Sequence, residues 1–99
     1  MRLTSQQIQS IRDIAYQIAG ERGRVHVFGS RLDDNARGGD LDLLIELPEA
    51  VIKPALMAAQ ISARDSRLMY GRKVDVIISA PNLKQLPIHE VALREGQAL

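Results

Sequence analysis

The chain has 99 residues, with 13 Lys and Arg against 12 Asp and Glu for a net charge of +1. That length suits one domain, residues 1–99, with one modest core, and a chain 45% apolar and 25% charged is not disordered. The lack of cysteine excludes disulfides, thiolate metal sites and cysteine nucleophiles.

In chain order, Thr4 and Gln7 read as a capping box. Ile8, Ile11, Ile14, Ala15 and Ile18 then recur at helical spacing before Gly20 and Gly23, predicting a helix over 4–19. Val25-His26-Val27-Phe28 reads as a strand ending at the turn residues Gly29-Ser30. Residues 31–39 are polar and turn-rich. Residues 40–47 alternate with period two: Leu41, Leu43, Ile45 and Leu47 share one face, and Asp40, Asp42, Leu44 and Glu46 the other. A second helix is predicted over 51–69, with Pro54 in its first turn and an apolar stripe of Ile52, Leu56, Ala59 and Ala63 widened by Ile61 and Leu68. Lys73–Ser79 reads as a third strand, and 86–95 as a short helix with Ile88, Val91 and Ala92 on one face. The order α-β-β-α-β-α predicts an α/β (α+β) fold, a small three-stranded sheet with its helices mainly on one face.

Three carboxylates stand out. Asp40 and Asp42 project from one face of the same strand, about 6.5–7 Å apart along the chain. Asp75 sits centrally in the next predicted strand, so the three converge if the strands are neighbours. Like charges this close repel unless a cation lies between them, and all-oxygen ligands favour a hard ion such as Mg²⁺. Gly29 and Ser30 follow a strand, where glycine admits a phosphate to the backbone and N–H and hydroxyl groups can hold its oxygens. Two ions held by such carboxylates can stabilise an in-line phosphoryl displacement, with the third acid helping the incoming hydroxyl to lose its proton.

Gly29-Ser30, nine residues, Asp40-Leu41-Asp42, then Asp75 in a later strand resembles the DNA polymerase beta nucleotidyltransferase superfamily. The small size resembles its minimal nucleotidyltransferase (MNT) branch. The resemblance is carried by residues 28–46 and 73–78, and it implies a nucleotidyltransferase fold with a mixed sheet. It implies that Asp40, Asp42 and Asp75 are the catalytic acids and ligate Mg²⁺, and that Gly29 and Ser30 grip the triphosphate of ATP. MNT proteins are commonly antitoxins of HEPN toxins, and some transfer AMP from ATP onto a tyrosine of the toxin. The expected partner is therefore a HEPN-type toxin in a hetero-oligomer. Alternatives are an antitoxin that neutralises by binding alone, and a transferase acting on a small-molecule hydroxyl.

Two positions depart from relatives: Asp33 stands where a second arginine is often found, and Gly39 where Ser or Thr often precedes the first aspartate. Both remove a phosphate contact, which Arg31 and Arg37 could replace. His26 and His89 lack nucleophile partners in the sequence and read as structural or surface residues, and Arg72 and Lys73 as surface cations. Tyr70, conceivable as a self-modification target, is expected to pack in the core or at its rim.

No apolar run approaches the roughly 18 residues that cross a bilayer, and Met1–Gln6 lacks a signal-peptide stretch. A cytoplasmic protein without membrane contact is expected. Scattered charge and only three aromatic residues argue against direct nucleic-acid binding. So short a chain has room for a metal site and a triphosphate grip but little for an acceptor, so a protein partner is expected to supply one.

Overall fold

A computed structural model describes residues 3–29 and 40–99. Helix α1 runs over Ser5–Ala19, strand β1 over Arg24–Phe28, β2 over Leu41–Glu46, helix α2 over Pro54–Leu68, β3 over Val74–Ser79, α3 over Pro87–Glu95 and β4 over Gln97–Ala98. The protein is an α+β fold; among the described residues four strands form one mixed sheet in the order β3-β2-β1-β4. Strand β1 pairs antiparallel with both β2 and β4, while β2 and β3 run parallel, joined by the α2 crossover that parallel neighbours require.

The helices start where local chemistry satisfies their free N–H groups. Thr4 Oγ1 accepts the Gln7 N–H at 3.1 Å, and Gln7 Oε1 accepts the Thr4 N–H at 2.9 Å, which is the expected capping box. Pro54 occupies the first turn of α2, where a missing N–H costs nothing. At α3, the Leu86 N–H donates to His89 Nδ1 at 3.0 Å, and His89 Nε2–H donates to the Ile78 carbonyl at 2.9 Å. The ring therefore ties the start of α3 to β3, a structural role as expected for this histidine.

Period two divides the sheet between two cores. Leu41, Leu43 and Ile45 of β2, Val25 and Val27 of β1, and Val74 and Ile78 of β3 meet Ile11, Ala15 and Ile61 of α1 and α2. On the opposite face Phe28 and Leu44 pack with Ala92 of α3, flanked by Ile77 and Leu93. Thus α1 and α2 share one face, and α3 covers part of the other.

Three expectations are corrected. Among the described residues the sheet has four strands, not three; β4 is two residues long and carries no alternation to read. The apolar stripe of α2 lies elsewhere: Ile52 is 93% exposed and Leu56 51%, whereas Ile61 and Asp65 are buried, with Met57, Ala58 and Leu68 beside them. Asp65 interrupts the true stripe, so the exposed neighbouring register looked more apolar. On α3 the buried residues are His89 and Ala92, and Ile88 is 43% exposed. Among the described residues no helix is long and apolar enough to cross a membrane.

Candidate functional site

Strand register decides where the acids meet. Asp42 of β2 is the direct partner of Asp75 on β3, one strand spacing away, about 4.8 Å. Residues paired this way project to the same side, here the face opposite α1 and α2. Asp75 is exposed, and Asp42 is half-buried beneath the rim. Asp40 stands exposed just ahead of β2.

The neighbour across β1 completes this corner. Phe28 pairs with Asp42, and Gly29 follows with φ +79°, a left-handed conformation that glycine adopts without steric cost. A Cβ on Gly29 would collide with Asp42 Oδ2. Glycine at this position therefore lets the strand end turn sharply and lets the carboxylate lie against the backbone.

The electrostatics follow from this crowding. Partial burial pushes the Asp42 carboxyl above its ordinary range, and the negative charges of Asp75 and Asp40 push it further; Lys73 opposes them. Lys73 Nζ lies 3.8 Å from Asp75 Oδ2, an exposed contact of little energetic weight.

The structure thus brings Asp42, Asp75 and Gly29 together, with Asp40 near enough to perturb Asp42. Ser30, Arg31, Arg37, Asp33 and Gly39 lie outside the described residues. Among the described residues no group of three or more His, Cys, Asp or Glu side chains is arranged to hold a metal ion. The Asp42–Asp75 pair nevertheless suits a hard divalent cation in its chemistry: oxygen-only donors on one face, with mutual repulsion that a cation between them would relieve.

The two histidines stand apart from these acids. His89 is committed to the α3 start. His26 Nε2 lies 3.4 Å from Glu46 Oε1 across the β1–β2 pair, a half-buried contact. Among the described residues, neither has a hydroxyl among its hydrogen-bond partners.

Two residues carry more than the sequence suggested. Tyr70 is 94% exposed, not packed in the core or at the rim, and holds φ 60°. Asp65 is fully buried on the core stripe of α2, and neither of its carboxylate oxygens has a hydrogen-bond partner. The signal for Tyr70 was its position directly ahead of Gly71, at a helix end that glycine ordinarily occupies. An acid four residues after Ile61 on one helix stripe was the signal for Asp65. No protein-family model matches the chain, and no curated protein is significantly similar to it.

Proposed function

We propose that the protein is a Mg²⁺-dependent nucleotidyltransferase of the MNT type. In this reading it is the antitoxin of a toxin–antitoxin pair and transfers AMP from ATP to a tyrosine hydroxyl of a HEPN-type toxin. The observation that carries this reading is the register pairing of Asp42 with Asp75, with Gly29 against the Asp42 carboxylate. The sequence resemblance over residues 28–46 and 73–78 supports it and supplies the substrate class and partner.

In this reading Asp40, Asp42 and Asp75 hold Mg²⁺, which when bound neutralises charge on the triphosphate. Gly29 gives the phosphates access to backbone N–H groups, and Ser30 adds a hydroxyl. The tyrosine oxygen forms a bond to the α-phosphorus as the bond to pyrophosphate breaks. Asp75, exposed at the rim, accepts the proton that the hydroxyl gives up. The acceptor comes from the partner chain.

The test is intact-mass measurement of the toxin after incubation with this protein, ATP and Mg²⁺. The toxin is expected to gain AMP, and Asp75→Asn should slow the transfer at least about a hundredfold. A toxin whose mass is the same with wild type as with Asp42→Asn would sink the enzymatic reading. A second reading, neutralisation by binding alone, is favoured by Asp33 and Gly39, which each remove a phosphate contact. Toxin inhibition that survives loss of all three aspartates would select it.

A further inference from the structure

We propose that the apolar groove between the end of α1 and the loop leading into α2 is the contact face of a two-fold symmetric dimer of this chain. This goes beyond the transferase reading and does not depend on it.

The groove has a volume of about 600 Å³. One wall is the end of α1 with the turn at 20–23, and the other is the 47–53 segment with the first turns of α2. Ile18, Leu47, Val51 and Met57 line it, and all four belong to the main core or pack against it. The core therefore opens to water along this line, where a second chain would extend it.

Ile52 stands at the rim. It is 93% exposed, and Leu56, also in the lining, is 51% exposed. Two hydrogen bonds hold the backbone just ahead of Ile52: the Val51 N–H donates to Asn82 Oδ1 at 2.9 Å, and Asn82 Nδ2 donates to the Val51 carbonyl at 2.8 Å. Pro54 restricts the backbone just behind it. An isoleucine held out in this way gains nothing from burial within its own chain, and little backbone freedom is left to lose when a partner covers it.

A protruding apolar side chain beside an apolar recess is a self-complementary patch. In a two-fold interface every contact occurs twice, so Ile52 of each copy enters the groove of the other. The rim charges have the same property. Arg22 and Glu49 already pair with each other across the groove at 2.5 Å. Glu21 on one wall and Lys53 on the other form no ion pair among the described residues. They have opposite signs, so a two-fold axis through the groove matches Lys53 of each copy with Glu21 of the other. The groove lies beyond the end of β2 at Glu46, whereas Asp42 lies near its start, so this contact leaves the acidic pair uncovered.

Sedimentation velocity of the full chain tests this. Wild type should show a monomer–dimer equilibrium at concentrations up to about 0.5 mM. Ile52→Asp should raise the dimer dissociation constant at least about tenfold without lowering the melting temperature of the monomer. Lys53→Glu sets like charges against each other twice and should weaken the dimer about tenfold, whereas Lys53→Glu combined with Glu21→Lys should return it to within about threefold of wild type. A wild-type chain that stays monomeric, a dimer indifferent to Ile52→Asp, or a double variant no tighter than Lys53→Glu alone overturns the proposal. So does a monomer whose complex with the toxin is lost in Ile52→Asp, which would assign the groove to that partner instead.

Discussion

Gly29 meets two demands at once, a positive φ and a carboxylate lying against its α-carbon. Alanine violates both. Gly29→Ala should lower stability by about 1–3 kcal/mol in urea unfolding and displace Asp42 from the pair. Asp42 itself shows the opposite balance. Its folded-state pKa is raised by burial and then by Asp75 and Asp40, so the folded chain holds its proton to higher pH than the unfolded chain does. The resulting penalty is absent below the usual carboxylate pKa, grows as pH rises through it, and is complete above the raised value. Asp42→Asn should therefore stabilise the fold by roughly 0.2–1 kcal/mol at pH 7, and by nothing at pH 3, while abolishing transfer. Thermal melts at the two pH values check this. Tyr70→Gly should likewise gain stability, by about 0.5–1 kcal/mol, because it relieves a left-handed backbone and exposes no core. A lower melting temperature for Tyr70→Gly would show that the ring has a packing role after all.

At the scale of elements, alternation and caps were legible because each is a local rule. Thr4 with Gln7 marks the start of α1 without reference to anything distant, and replacing Thr4 with alanine should cost about 0.5–2 kcal/mol, measurable as a shift in urea midpoint. The period-two pattern of β2 separates Leu41, Leu43 and Ile45 from Asp42 and Leu44, and that separation carries the acids to one face. What failed was non-local. Strand β4 exists because the chain after α3 returns to β1, with the Leu99 N–H donating to the Val25 carbonyl at 2.9 Å; two residues cannot announce a pairing partner. The pairing of Asp42 with Asp75 depends on β2 and β3 being neighbours in register, which the spacing of two acids in different strands leaves open. The stripe of α2 departs from its periodicity for a different reason: hydrophobic periodicity assumes that buried means apolar, and Asp65 breaks the assumption.

Asp65 sets a property of the molecule as a whole. Its carboxyl is fully buried, with no hydrogen bond to either oxygen. Burial raises its pKa to about 7, and the charge of Arg64 opposes this only in part. Arg64 Nη2 is itself engaged, donating to Gln17 Oε1 of α1 at 2.7 Å. The folded chain therefore binds this proton at pH values where the unfolded chain has lost it. The stability that Asp65 contributes is fully present below the ordinary carboxylate pKa of 3.8, falls as pH rises through the interval up to about 7, and levels off above that. The loss across the interval is of order 2–4 kcal/mol, a large part of what a chain this small has in total. Asp42 slopes in the same direction, so the two must be separated. Urea midpoints between pH 5 and pH 8 should fall for wild type and for Asp42→Asn, and should fall far less for Asp65→Asn, which keeps only the Asp42 slope. The amide keeps the size of the carboxyl and cannot ionise. An Asp65→Asn chain with the same pH slope as wild type would mean that the buried carboxyl is already charged in the folded chain throughout that range.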